Sequence, residues 1–457
     1  MNSGLVTTDA DVRQSVSRDA SGVELIPDSV ARPTSRAEVL ALLHEAQRDR
    51  TPVTTAGAQT STTAASLTDQ GMLLSLRGLE GVHDIDRTAR TVRVAPGTLL
   101  GPLKRQLAAE GWLLAPDPTS EEDCTVGGAI ACNASGARSL RYGATRDHVR
   151  GLTVALMTGE VLELRRPSLE KNTVGYAPVH DLVDWFVGSE GTLGVILEAE
   201  LALLPEPAWV IGLSIPFPIE ADALAFVIAA RESRHLSPRC LEFLDSGAFA
   251  IARAAAQDPS WANAADSLIY TELSGSESEE PPLEAWLELA GLHNALDDDI
   301  RVYDTEAALR DARRLRHAVP ATMHERAAPH RANGGRRIST DWAVPYRRLG
   351  EALAASRRAV EERGLLAPVT FGHAGNGHPH QNFIARDAAE IERITDAVSA
   401  TLHEVIALGG TVAAEHGIGK IKSRWLPLQM SATQRAMMRA IKHELDPDNL
   451  LARGNIL

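Results

Sequence analysis

From residue 28 to residue 205, short apolar runs of strand length alternate with stretches of helical periodicity. Downstream of Ser35, RAEVLALLHEAQRD repeats its apolar residues at helical spacing, and Ser35 stands where an N-cap belongs. Pro52-Val53-Thr54-Thr55 reads as a short strand and GMLLSL (71–76) as a second. VHDIDRTARTVRVAPG (82–97) alternates in two arms about a polar turn, which predicts a hairpin. A helix is expected over Leu99 to Ala109, stopped by Gly111. VRGLTVALMTGEVLEL (149–164) predicts another hairpin, turning at Thr158-Gly159. DLVDWFV (181–187) and TLGVILEAELALL (192–204) predict a short helix and a long strand.

Pro205 and Pro207 mark a boundary, beyond which the texture changes. Longer, Ala-rich helical stretches follow at 220–233, 245–256, 305–318, 347–363 and 385–408, with strand-like pieces SLIYTEL (267–273) and RRISTDWAV (336–344) between them. The arrangement is α+β. The acidic segment SGSESEEPP (274–282) reads as a solvated surface excursion, no internal repeat is found, and DPDNLLARGNIL (446–457) forms a capped, turn-rich ending.

Composition narrows the class. With 457 residues, 44% of them apolar and 23% charged, the chain is neither disordered nor a small disulfide-stapled fold, and its length suggests two domains. Acidic residues outnumber basic ones by 60 to 46, for a net charge of −14, which disfavours nucleic acid as a partner. Cys124, Cys132 and Cys240 cannot all pair and match no zinc spacing, so reduced thiols in a cytoplasmic protein are expected. The start, MNSGLVTTDADVRQ, lacks the features of a secretory signal. The most apolar long window, Val210 to Ala230, is interrupted by Pro216, Pro218, Glu220 and Asp222, so no membrane span is expected, although surface attachment stays open.

Three stretches carry chemistry. In PDPTSEEDCTVGGAIACNASGARSLRYG (116–143), small residues and hydroxyls crowd together in a way that lets backbone N–H groups approach an anion, such as the diphosphate of a cofactor. Tight helix–strand packing explains the same composition. No G-x-G-x-x-G, P-loop or nucleophile elbow is present, so a Rossmann or Walker mode and a serine hydrolase are disfavoured. In FGHAGNGHPHQNF (371–383), three histidines stand among glycines and a proline. If His378 to Asn382 is extended, His378 and His380 share a face, while His373 and His380 can equally converge across the bend. Imidazoles are common transition-metal ligands, and a further ligand is needed. In GGTVAAEHGIGKIK (409–422), Glu415 offers a carboxylate and His416 a base that titrates near neutrality; two of only five lysines, Lys420 and Lys422, fall here.

Together with GSEGTLGVILEAEL (188–201), these motifs resemble the FAD-linked oxidoreductases of the vanillyl-alcohol oxidase and p-cresol methylhydroxylase fold, from about Pro27 to the C-terminus. The nearest branch is that of D-lactate, glycolate and D-2-hydroxyglutarate dehydrogenases, with alkyl-dihydroxyacetonephosphate synthase more distant. The resemblance implies an α+β fold in which residues 1–26 form an extension and 27–205 an FAD-binding domain of two subdomains. Residues 206–408 are then an α+β substrate (cap) domain, and 409–457 return to the FAD domain. It implies FAD contacts at Gly57, Gln59, Thr60 and Ser61 in the loop Thr55 to Ser66. Others fall at Pro118, Thr119, Ser120, Gly127, Gly128, Asn133, Ser135, Gly136 and Tyr142, and along Gly188, Glu190, Gly191 and Val195. The first loop has Gln59, Ser61, Ala64 and Ala65 where relatives usually carry glycine, so its shape is expected to differ. It also lacks a histidine, so FAD is expected to be non-covalent.

The resemblance further implies a divalent metal, zinc in many relatives, held by His373, His380 and Glu415, with His416 as base, Asn382 touching substrate and Arg316 pairing with the substrate carboxylate. Asn376 and His378 stand where an Asp and an Asn are usual, and Ser339 where a lysine is usual, with Arg336 or Arg337 as substitutes. The implied reaction is FAD-dependent, metal-assisted oxidation of a small D-2-hydroxy acid to the 2-oxo acid, with hydride passing to flavin N5. Electrons would leave to a quinone, cytochrome or electron-transfer flavoprotein, and a homodimer stays open. The alternatives are a metal-independent alcohol or phenol oxidase of the same fold and a non-catalytic flavin-binding subunit of a larger complex.

Overall fold

The Ser35 hydroxyl accepts from the backbone N–H of Glu38, whose carboxylate returns the bond to Ser35, closing a capping box on the helix Arg36–Asp49. Its stripe of Val39, Leu42, Leu43 and Ala46 packs on a four-stranded sheet. A computed structural model describes residues 4–176 and 179–457, and the chain divides into two units. One comprises residues 1–136, 143–206 and 415–457; the other comprises 137–142 and 207–414.

In the first unit, β1 (Val6–Thr7), β2 (Ser29–Ala31), β3 (Val53–Ala56) and β4 (Met72–Ser75) lie in the order β1-β2-β4-β3, with β2, β4 and β3 mutually parallel. Val6–Thr7 is thus part of this sheet, since β1 pairs antiparallel with β2. The strands β5 (Val82–Asp86), β6 (Thr91–Val94), β8 (Val149–Ala155), β9 (Val161–Arg165) and β10 (Val195–Ala202) form an antiparallel sheet in the order β5-β6-β10-β8-β9; β7 (Trp112–Leu113) pairs separately with β11 (Leu204–Pro205). Both expected hairpins are present. The helix Leu100–Ala108 buries Leu100, Leu103 and Leu107 against Val92, Val94, Leu152 and Leu201.

The end of the chain is stitched to the first sheet. Val53 donates to the carbonyl of Leu450 and Ala452 to that of Val53, each at 2.8 Å. Asp446, 1% exposed, holds the turn by accepting from Leu450 and Leu451 and by pairing with Lys442. The helix Ala432–Leu445 before it has its own capping box between Ser431 and Gln434 and was not anticipated from periodicity, because none of its residues is buried.

The second unit is one antiparallel sheet: β12 (Trp209–Phe217), β13 (Cys240–Leu244), β14 (Ser267–Gly275), β15 (Arg301–Tyr303), β16 (Gly334–Ser339), β17 (Val369–His373) and β18 (His378–Asp387), ordered β15-β12-β14-β13-β17-β18-β16. The face bearing Leu244, Leu268 and Phe371 packs on the helices Ser246–Ala255 and Glu306–Ala327. The second helix runs past the expected end at 318 and through Pro320 to Ala327. Val319 carries its buried stripe up to the proline and Met323 and Ala327 continue it beyond, so packing offsets the missing N–H.

Asp446→Ala leaves two buried backbone donors without their acceptor and Lys442 with only the carbonyls of Thr192 and Leu451, and is expected to cost ~2–4 kcal/mol in urea unfolding. A loss below ~0.5 kcal/mol would show that the tail is held by its apolar contacts alone.

Candidate active site

Cross-strand register decides which side chains of the second unit meet. His373 pairs with His378, Phe371 with His380 and Val369 with Asn382 across β17 and β18; β13 faces β17 with Phe243 opposite Gly372. Because strand side chains alternate and directly paired residues share a face, Glu242, His373, His378, His380 and Asn382 project from one side of the sheet. On β16, Arg337 and Ser339 share it, pairing with Ile384 and Asn382. The bend between β17 and β18 depends on Gly377, whose φ is +68° and where a Cβ would be driven into the carbonyl of Val344.

The three imidazoles form a buried cluster. Their ring centroids are 4.5 Å (His378–His380), 5.2 Å (His373–His380) and 5.4 Å (His373–His378) apart, and one nitrogen of each lies within 4.8 Å of the others. None is more than 6% exposed. His373 Nδ1 is 2.6 Å from a carboxylate oxygen of Glu242, and Asp341 stands 3.2 Å from His378 Nε2. A carboxylate on one ring nitrogen fixes the tautomer and leaves the other as a donor, the usual support of a metal-bound histidine. The donor set therefore fits a divalent cation. Asn382 is fully buried; its amide donates weakly to the His380 carbonyl at 3.4 Å, and its Oδ1 has no hydrogen-bond partner among the described residues.

Two carboxylates of this face were missed from sequence. Glu242 accepts from Arg316 Nε at 2.9 Å; burial pushes its carboxyl up, but His373 and Arg316 outweigh this and hold it down to about 2. Glu272 on β14 is surrounded by Arg138, Arg239 and Arg313, with Tyr270 Oη at 3.0 Å; burial opposes ionisation, and Arg138 leads the guanidinium groups that override it. The available signal was one glutamate inside each of the apolar strands CLEFL and SLIYTEL, since a buried charge requires a partner. Arg316 thus lies beside the histidine cluster, bonded to Glu242, while Tyr142 packs under Arg239, which donates to its hydroxyl at 3.2 Å.

In the first unit, the loop after β3 keeps left-handed backbone without the missing glycines: φ is +57° at Gln59 and +59° at Ala64. Gly57 is required sterically, because a Cβ there would collide with the Thr125 hydroxyl. Among the described residues, the N–H groups of residues 58–62 make no hydrogen bond within the chain, and the buried Ser66 hydroxyl has no partner. Ser61 Oγ accepts from the N–H of Thr63, and Gln59 Nε2 donates to the Val16 carbonyl. Successive N–H donors of this kind suit a diphosphate.

Elsewhere the small residues serve packing. Thr125 caps the helix Val126–Cys132; Gly127 donates to the Pro96 carbonyl at 2.8 Å and Gly128 to Thr125 Oγ1 at 3.2 Å, so both N–H groups are used internally. A Cβ at Gly127 or Gly136 would meet Pro96 or the Asp117 carbonyl. Pro118, Thr119 and Ser120 form the preceding turn, with the Pro118 carbonyl accepting from Glu121 and that of Ser120 from Cys124. Asn133, at φ +50°, accepts from the N–H of Arg146, and Ser135 follows it. Burial raises the thiols of Cys124 and Cys132 to about 11 and about 12, so both stay protonated.

The Glu-His segment enters this unit directly after Ala414, whose N–H donates to the Asp341 carbonyl in the second unit's own framework. From there it is anchored to the first loop. The His416 carbonyl accepts from Thr63 Oγ1 at 3.4 Å, Lys420 donates its N–H to the Thr63 carbonyl, and Ile418 and Gly419 donate to the Glu190 carboxylate at 2.5 and 2.7 Å. Glu190 is itself buried at φ +51°; Gly191 beside it leaves room for Thr55, and Val195 opens β10. Burial lowers the Lys420 ammonium to about 8.

Comparison with known proteins agrees with this anatomy. Residues 27–165 match the FAD binding domain family and residues 206–456 the FAD linked oxidases, C-terminal domain. D-2-hydroxyglutarate dehydrogenase of Xanthomonas citri pv. viticola is 32% identical over 438 residues, covering 94% of this chain and 89% of the relative. D-lactate dehydrogenase of Anaerostipes hadrus is 30% identical over 442 residues, and glycolate oxidase subunit GlcD of Bacillus subtilis 29% identical over 438, each with the same coverage of 94% and 89%. A solved alkyldihydroxyacetonephosphate synthase superposes with a TM-score of 0.75 at 19% identity over 99% of this chain and 84% of that one, a likeness of fold.

Two outcomes are expected of variants. Ala64→Gly removes the left-handed strain of a buried alanine and should raise unfolding stability by ~1 kcal/mol; a loss would mean that the Cβ contacts outweigh the strain. Glu242→Gln leaves Arg316 buried without its counter-charge and should cost ~3–5 kcal/mol, whereas a calorimetric change below ~1 kcal/mol would deny the pair its structural role.

Proposed function

The chain belongs to the FAD-linked oxidases, FAD-binding oxidoreductases, and on that footing we propose that it oxidises a small D-2-hydroxy acid of the D-lactate, glycolate or D-2-hydroxyglutarate type to the 2-oxo acid. The observation that carries this reading is the buried imidazole cluster with Glu242 behind His373, a donor set for a cation that a hydroxy acid can chelate.

FAD is held non-covalently. The N–H groups that follow Gly57, through Gln59, Thr60 and Ser61, would hold its diphosphate. Close backbone approach at Pro118, Thr119, Ser120, Gly127, Gly128, Asn133, Ser135 and Gly136, with Tyr142, Glu190, Gly191 and Val195, shapes the rest of its bed. Bound there, the flavin supplies a two-electron acceptor. His373, His380 and Glu415 would hold a divalent metal of the zinc type, which would supply Lewis-acid polarisation of a substrate oxygen.

The remaining work belongs to side chains. Arg316 supplies the positive charge that pairs with the substrate carboxylate. Asn382, whose buried Oδ1 has no partner among the described residues, accepts a hydrogen bond from substrate. His416 takes the hydroxyl proton as the C2 hydride leaves, so one oxygen proton and one hydride are removed and a carbonyl remains. Electrons pass on to a quinone, cytochrome or electron-transfer flavoprotein. Among the described residues, no helix is long and apolar enough to cross a membrane.

The test is anaerobic bleaching of the flavin by a panel of D- and L-2-hydroxy acids. One or more D-acids, or glycolate, should bleach the purified protein, and a chelator should slow the reaction; bleaching by none, even with added zinc or manganese, would refute the reading. His416→Ala should retain flavin and slow reduction by at least roughly 10²-fold. A wild-type rate in that variant would remove His416 as base.

A further inference from the structure

We propose that His378 is itself a metal ligand, so that this chain presents three imidazoles where the resemblance implies two. The proposal rests on the reading that a divalent cation binds at His373 and His380. His378 is paired directly with His373 across the two strands and stands two residues before His380 on the same face. Strand geometry therefore aims all three rings to one side, and moving His378 away would require a change of register. Its ring is the nearest neighbour of His380 within the cluster, at 4.5 Å between centroids, and it is 4% exposed. Pro379 between them restricts the backbone that sets this spacing.

Carboxylates support two of the rings. Asp341, 3% exposed, places a carboxylate oxygen 3.2 Å from the ring of His378, and Glu242, 1% exposed and also paired with Arg316, occupies Nδ1 of His373. Carboxylates in such positions orient imidazoles as metal ligands are oriented. An asparagine at residue 378 would offer an amide oxygen, a harder and weaker donor than imidazole. With a third imidazole the site shifts toward zinc and cobalt and away from manganese and magnesium.

The experiment uses the full-length, flavin-loaded protein, stripped of metal with a chelator and titrated with cobalt(II), followed by ligand-field absorption and calorimetry, then with zinc in competition. His378→Asn should weaken cobalt binding by at least roughly 10-fold and change the band intensity, with flavin content and melting temperature close to wild type. Should asparagine disturb the fold, His378→Gln is read in the same way. If His378→Asn binds cobalt with wild-type affinity and spectrum while His380→Ala does not, His378 is a bystander: the proposal falls and the metal reading stands. If the wild-type protein binds neither cobalt nor zinc, both fall together.

Discussion

A carboxylate with no access to water, Glu242, governs the chemistry-bearing half of the second unit. Ionised inside a sheet, it is tolerable only because Arg316 meets one oxygen and His373 the other. That single requirement ties the helix Glu306–Ala327 to the sheet through Arg316, and it fixes the orientation of a ring that closes the imidazole cluster. Glu272, one strand further on, repeats the solution with three guanidinium groups, so the face is built from compensated charge rather than apolar packing alone.

The first unit meets a different constraint, that of bringing backbone segments close. Glycines at 57, 127, 136 and 191 are needed where a Cβ would strike a neighbouring loop, and what they permit is contact between segments far apart in sequence. Left-handed residues at Gln59, Ala64, Asn133 and Glu190 complete these turns at some cost in strain. The result is a run of N–H donors without a partner among the described residues, while the donors of Gly127 and Gly128 are consumed within the fold. Small residues in these two stretches thus differ in how their N–H groups are used, and only hydrogen-bond accounting separates them.

The chain's last segment joins these themes. Glu415 and His416 follow a residue bonded to Asp341, and the next residues are locked to Thr63 and the Glu190 carboxylate. A Glu-His pair on such a tether has little freedom.

How much of this was legible follows from the range of each interaction. Alternation, helical periodicity and caps are local, so the hairpins at 82–97 and 149–164 and the Ser35-capped helix could be read directly. The exposed helix Ala432–Leu445 and the passage of the long helix through Pro320 could not, since one lacks a buried stripe and the other depends on packing against the sheet. The histidines were visible as candidates, but the two sites open to them, across the bend or along the strand, were resolved only by the pairing of β17 with β18. Glu242, Asp341 and Glu272 gained their meaning in the same way. A sequence determines which groups must find partners; which partner each finds is decided when strands distant in the chain come into register, because charge compensation and cross-strand contact act through space.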